Sequence, residues 1–273
     1  MLNAVAIITL EQWIKMSGRI VIWFSCGAAS ACAAKMVLQS NDERKAGREI
    51  VIARNWLKEE HPDNDRFQAD CEKWFGQKII HVTNEKYHGS VMEVQAGVKA
   101  IRFKEGAPCT RLLKKEMRQR FQRPDDIHVF GLHVGEDHRI DEFLDDEPDV
   151  KYWLPLVELG MTKEACHIMI AFAGIEQSVL YKMGYKNNNC IGCVKGGMGY
   201  WNKIRVDFPD VFDRQAKMER LLGTTVLREE GPRAPDGSRT SLPLYLDELD
   251  PKRGNYKEEP SIACGIICEG FKK

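Results

Sequence analysis

Nine cysteines, an odd number, carry the first chemistry that this chain of 273 residues offers. Cys190 and Cys193 form a Cys-x-x-Cys inside the glycine-rich stretch Asn187-Asn-Asn-Cys-Ile-Gly-Cys-Val-Lys-Gly-Gly-Met-Gly199. That spacing lets two thiolates reach one metal ion or cluster. Taken alone it also suits a redox dithiol or two surface thiols. Cys109 stands about eighty positions earlier, in Ala107-Pro-Cys-Thr-Arg-Leu-Leu-Lys114, and is the candidate third ligand. Arg111, Lys114 and a helix start would favour its thiolate, while a small buried hydrophobe is the competing role. Cys264 and Cys268 lie near the end, in Ala263-Cys-Gly-Ile-Ile-Cys268. A terminal thiol of this kind can serve as a nucleophile or as a further metal ligand.

A second constellation binds anions rather than metals. The apolar run Ile20 to Phe24 opens onto Ser25-Cys-Gly-Ala-Ala-Ser30 and continues into an alanine-rich segment to Leu38, which reads as strand, tight turn and helix. Backbone N–H groups, the positive helix end and the hydroxyls of Ser25 and Ser30 would surround an anion at Gly27. Arg139, at the end of Gly131-Leu-His-Val-Gly-Glu-Asp-His-Arg139, can bind phosphate or sulfate through two parallel hydrogen bonds. An ion pair with Asp137 or Glu142 is its competing role. Lys195 is a further anion contact, with simple solvation as its alternative. The seven histidines form no zinc set, and His61 is the best ligand contact among them.

The elements that must position these residues alternate. Strands are expected at Ile20 to Phe24, Glu49 to Arg54, Lys78 to Thr83, Ile127 to His133 and Tyr152 to Leu156. Helices are expected from about His61 to Phe75, Gly89 to Ala100, Cys109 to Phe121, Thr162 to Ala173 and Pro209 to Leu222. This alternation predicts an α/β fold with a doubly wound, mostly parallel five-stranded sheet, whose ligands bind beyond the carboxyl ends of the strands. The composition changes near residue 185. A nucleotide-binding domain is therefore expected over 17–185 and a cysteine-bearing helical extension with a tail over 186–273. Gly231 to Thr240 reads as a polar loop, and Trp153 and Trp201 as core.

Lysine plus arginine equals aspartate plus glutamate at 40 each, so no global field recruits nucleic acid or an anionic membrane. A nucleotide-sized ligand remains compatible with that balance. No run of about 18 apolar residues marks a membrane span, and no secretion signal is evident. The reducing cytoplasm is the expected compartment, where clustered cysteines mean metal or thiol chemistry rather than disulfides. A homo-oligomer stays open.

The pattern Ser25-x-Gly27-x-x-Ser30 resembles the phosphate-binding loop of the adenine nucleotide α-hydrolase-like (HUP, PP-loop) superfamily, which includes PP-loop ATP pyrophosphatases and the PAPS and APS reductases. In APS reductases a Cys-Cys pair heading a basic helix is followed about eighty residues later by Cys-x-x-Cys, and the four bind a 4Fe-4S cluster. Cys109, Cys190 and Cys193 match three of those places, while Thr110 stands in the fourth. The tail resembles the Glu-Cys-Gly-Leu-His motif of sulfonucleotide reductases, which puts Cys264 on the nucleophile. Ala263 and Ile267 depart from that motif, and Cys268 is additional. Glu60-His-Pro-Asp63 resembles the loop after the second strand of the family. Asn189 to Lys195, with Tyr200-Trp-Asn202, resembles members often encoded by phages and mobile elements.

The resemblance implies a thiol-dependent reductase of adenosine 5′-phosphosulfate or its 3′-phosphorylated form, served by a thioredoxin- or glutaredoxin-type reductant. Ser25, Gly27, Ser30, His61, Arg111, Arg139 and Lys195 would contact the nucleotide and its sulfate. Cys264 would attack sulfur, and Cys109, Cys190, Cys193 and Cys268 would hold a 4Fe-4S cluster, with zinc as the alternative. An ATP-dependent sulfur transferase in tRNA or DNA thiolation is the alternative enzyme. PP-loop ATPases usually carry Ser-Gly-Gly-x-Asp-Ser, and Ala29 stands here where that aspartate would be, which weakens magnesium-dependent chemistry. A non-catalytic nucleotide- or partner-binding module is the reading from another class.

Overall fold

The computed structural model describes residues 18–103, 106–233 and 239–262. Cys264 and Cys268 lie outside the described residues.

Strand β1 (Ile20–Trp23) is buried at all four positions, as a central strand with both faces covered must be. It pairs in parallel with β2 (Ile50–Asn55) on one side and β4 (Ile127–Val129) on the other, with Ile20 opposite Ile50 and Ile127. Strands β3 (Ile79–Val82) and β5 (Lys151–Trp153) complete a five-stranded, all-parallel sheet of order β3-β2-β1-β4-β5.

Side chains alternate across this sheet, and helices cover both faces. On one face Ile20, Ile22 and Phe24 pack against Ala31, Cys32 and Ala34 of α1 (Ala28–Gln39). The same cluster includes Phe67 and Cys71 of α2 (Asp63–Phe75). Small residues on α1 permit close approach to the sheet, the reason for its alanine-rich sequence. On the opposite face the His128 ring stacks between Trp23 and Phe130, with centroids 6.2 and 6.1 Å away. Phe130 in turn meets Phe143 of α5 (Asp137–Asp146) edge-on at 5.2 Å. The expected doubly wound α/β architecture is therefore present. From β1 the chain winds outward to β2 and β3, and from β4 outward the other way to β5. The carboxyl ends of β1 and β4 thus flank the point where ligands bind in such sheets.

By contacts the chain divides into two compact units, and not at a single sequence position. The first holds the sheet and comprises the described residues up to Asn55, Asn64–Val82 and Arg118–Ser178. The second comprises Trp56–Asp63, Thr83–Met117 and the described residues from Val179 onward. It thus begins somewhat before residue 185 and also draws in two earlier segments, one of which carries Cys109. Its helices include α3 (Val91–Val98) and the start of a helical stretch over 108–121, α4. Within α4 a turn at Pro108–Thr110 and a π-helical segment Arg111–Lys115 precede the α-helical Glu116–Phe121. Between α4 and the end of the first unit lie α5, α6 (Pro155–Glu158) and α7 (Lys163–Phe172). The second unit continues with α8 (Val179–Lys182), α9 (Met198–Asp207) and α10 (Pro209–Leu222). Its core is built on Trp201, Ile204, Phe212 and Leu246.

Three expectations need correction. The fourth strand stops at Val129, so His133 lies beyond it. The fifth ends at Trp153, because Pro155 opens helix α6 at a position where a missing N–H costs nothing. The stretch read as a loop from Gly231 to Thr240 contributes to a hairpin: β6 (Leu227–Arg233) pairs antiparallel with β7 (Arg239–Leu244). Burial is confined mainly to its base at Leu227 and Leu244, so the sequence lacks the alternation that announces a half-buried strand. No helix among the described residues is long and apolar enough to cross a membrane.

Candidate functional site

In the first unit, the β1–α1 turn is held in shape by one hydroxyl. Ser30 Oγ accepts from the Ser25 backbone N–H at 3.0 Å and from Ser25 Oγ at 3.1 Å, and donates to the Gly27 carbonyl at 3.0 Å. One proton and two lone pairs are all a serine hydroxyl has, so Ser30 shapes the loop. Ser25 is exposed and presents the loop's accessible hydroxyl. Between them Cys26 is fully buried in the left-handed region at φ 55°, a conformation costly for any residue with a Cβ. It reverses the chain so that Gly27 enters α1 in extended geometry. No side chain caps α1 and no acidic residue lies in its first turn, so the helix itself does not neutralise its positive end.

The segment after β4 closes against this turn. A Cβ on Gly131 would lie 2.5 Å from Ser30 Cα, which is why the position is glycine. Arg139, on α5, pairs with Glu136 rather than with Asp137 or Glu142, the partners named for its competing role. Glu136 also accepts from the His133 backbone N–H at 3.1 Å and stands 3.4 Å from its imidazole, so Arg139 is part of a local cluster.

The second unit gathers the three sequence-selected thiols. Cys109, Cys190 and Cys193 line one cavity of about 30 Å³, together with apolar Leu57, Val91 and Val194. Cys109 is half-buried in the short turn that opens α4, and packs with hydrophobic neighbours. The Cys-x-x-Cys turn is organised by a residue the motif does not contain. The Tyr200 hydroxyl accepts from the backbone N–H groups of Gly192 and Cys193 at 3.0 and 2.9 Å and donates to the Cys190 carbonyl at 3.3 Å. Burial holds this phenol far above its usual range, so it keeps the proton it donates. Gly192 takes φ 77°, and a Cβ there would come within 2.7 Å of Val211.

Glutamates brace the same region from outside. The Glu59 carbonyl accepts from Ile191 N–H at 2.8 Å, while its carboxylate takes the Val91 and Met92 N–H groups and the Ser90 hydroxyl at the start of α3. Glu259 does the same for α9 by accepting from Gly199 and Tyr200 N–H at 2.6 and 3.0 Å. The Asn187 and Asn189 side chains both donate to the Ile262 carbonyl, at 2.9 and 3.0 Å. None of these contacts has a local sequence signal, since each joins residues brought together only by folding.

A scan against protein-family models finds no match, and none is found among curated proteins.

The remaining candidates are dispersed. His61 Nδ1 accepts from Asp63 N–H at 3.1 Å, at the start of α2, and its ring lies edge-on to Phe208. Arg111 is exposed and lies 3.4 Å from Glu116, and Lys195 is half-buried. These three are not among the described residues that line the cysteine cavity. Four further thiols are core. Cys26, Cys32, Cys71 and Cys166 are wholly buried; burial pushes the Cys71 thiol up to about 12, and a hydrogen bond with Cys166 together with burial pushes Cys32 higher still.

Among the described residues, no group of three or more His, Cys, Asp or Glu side chains is disposed to hold a metal ion. The donor chemistry of the cavity nonetheless suits a thiolate-bound group. Three thiols line it, and the Glu59 carboxylate is already committed to the amides that begin α3.

Proposed function

We propose that the protein is a thiol-dependent reductase of a sulfonucleotide, APS or PAPS, releasing sulfite and AMP or PAP. The observation that carries the reading is the sharing of one cavity by Cys109, Cys190 and Cys193, in the unit where Asn187 and Asn189 hold the Ile262 carbonyl. Ile262 lies two residues before Cys264, and two residues span at most about 7 Å. Its carbonyl is held by Asn189, the neighbour of Cys190, so the tail starts next to the Cys-x-x-Cys turn.

In this reading the uncapped start of α1 binds the anionic part of the nucleotide, the exposed Ser25 hydroxyl turns its proton from Ser30 to that anion, and Ser30 shapes the loop. The Cys264 thiolate attacks the sulfo sulfur; the S–O bond to the nucleotide breaks, its electron pair leaves with the phosphate, and a thiosulfonate forms on Cys264. A dithiol protein of the thioredoxin or glutaredoxin class then attacks the Cys264 sulfur. Sulfite departs with the S–S electron pair, and the mixed disulfide is resolved by the second thiol of the reductant. Cys109, Cys190 and Cys193, with Cys268, would hold a 4Fe-4S cluster, which would organise and tune the site. The absence of any carboxylate in the first turn of α1 supports thiol chemistry over the ATP-dependent sulfur transferase.

The test is sulfite release by anaerobically purified protein, given APS or PAPS and a thioredoxin-type dithiol. Turnover by the parent protein is expected, with Cys264→Ser abolishing it while iron and sulfide content persist. No turnover of either nucleotide by the parent overturns the reading, and loss of iron in Cys264→Ser reassigns that cysteine as a ligand.

A further inference from the structure

Thr110 is the polar residue of the cysteine cavity that the protein itself does not explain. It is 5% exposed, lines the cavity with Cys109, Cys190 and Cys193, and its Oγ1 is buried with no hydrogen-bond partner among the described residues. A threonine in a helix commonly returns its hydroxyl to the carbonyl three or four residues back. Here the Ala107 carbonyl accepts the Thr110 backbone N–H at 3.0 Å, and the Gly106 carbonyl accepts from Phe103 at 2.9 Å. The hydroxyl turns to neither. Valine would fill the same space without burying an unsatisfied donor, so a hydroxyl at this point calls for an acceptor that arises only when the cavity is loaded.

We propose that the Thr110 hydroxyl donates a hydrogen bond to a metal-bound thiolate in this cavity, making Thr110 a positioning residue of the centre. The inference rests on the reading of Cys109, Cys190 and Cys193 as metal ligands. Metal binding converts thiols to thiolates, and a sulfur carrying negative charge is a better acceptor than a thiol. The hydroxyl then gains a partner when the centre is loaded. Such outer-shell bonds orient ligands and strengthen metal retention.

The probe is Co²⁺ alone, added anaerobically to the metal-free full chain, with thiolate-to-cobalt charge-transfer bands and chelator competition as readouts. Circular dichroism verifies that each variant is folded. Thr110→Val is expected to weaken Co²⁺ retention about tenfold and to shift the charge-transfer band, with Thr110→Ser restoring both. If Thr110→Val matches the parent in affinity and spectrum, the inference falls while the metal reading stands. If Thr110→Ser is as weak as Thr110→Val, the role is steric and the inference also falls. If the parent shows no charge-transfer band at all, the metal reading fails and takes the inference with it.

Discussion

Gly131, two residues beyond β4, runs so close to the first turn of α1 that a Cβ on it would stand 2.5 Å from the Cα of Ser30 and 2.6 Å from its backbone nitrogen. Both clashing atoms are backbone, so no side-chain rotation relieves them. The contact couples the two strand ends that flank the switch point of the sheet, and it places the loop-shaping serine under the control of the segment that follows β4.

Gly131→Ala is therefore expected to displace the Ser25–Ser30 turn and to lower stability by about 1–3 kcal/mol. Thermal unfolding and nucleotide binding by calorimetry check this together. An alanine variant with unchanged melting temperature and unchanged affinity would mean that the β4 segment does not set the turn.

Tyr200→Phe removes the hydroxyl that satisfies the Gly192 and Cys193 amides and the Cys190 carbonyl. Leaving these groups unpaired in a buried place costs about 1–3 kcal/mol. The ring remains packed against Trp201 and Tyr185, so the core survives. Urea unfolding should show the loss, and alkylation of Cys190 and Cys193 should speed up. Equal alkylation rates in the variant and the parent would show that the turn holds itself without the phenol.

His128 sets a pH dependence in the first unit. Burial, helped by the nearby Arg118 charge, pushes its imidazole down from 6.5 to about 4, and its Nδ1 accepts from Trp23 Nε1 at 2.9 Å. Because the folded value lies below the unfolded one, the contribution to stability is complete above pH 6.5 and is lost as pH falls towards 4. A shift of this size is worth about 3 kcal/mol. Glu219, pushed up to about 7 by burial, acts in the opposite sense and loses its contribution as pH rises from 4.5 through 7. His128→Gln keeps an acceptor for Trp23 but cannot titrate, so denaturant unfolding at several pH values between 4 and 7.5 should show a shallower acid loss than in the parent. An identical acid loss in both proteins would assign it elsewhere.

Some of this molecule was plain in the sequence. The apolar run Ile20 to Trp23 and its counterparts declare buried strands because a central parallel strand must be apolar on both faces. Helix α10 was readable to the residue, since Pro209 starts it and Gly223, at φ 64°, ends it. The three cysteines could be nominated together from the Cys-x-x-Cys and from Cys109 at the head of a basic segment, and folding brings them to one cavity. The hairpin β6–β7 gave no such signal, being solvated along most of both strands.

Tertiary structure alone decided the rest. The second unit draws on three separate stretches of chain, so no composition change could mark its limits. The Tyr200 hydroxyl behind the Cys-x-x-Cys, the Glu59 carboxylate at α3, the unanswered Thr110 hydroxyl and the Gly131 contact with Ser30 are likewise invisible along the chain. Sequence periodicity records which face of an element is buried. Which polar atom meets which across that buried space depends on distances that exist only once the elements have packed.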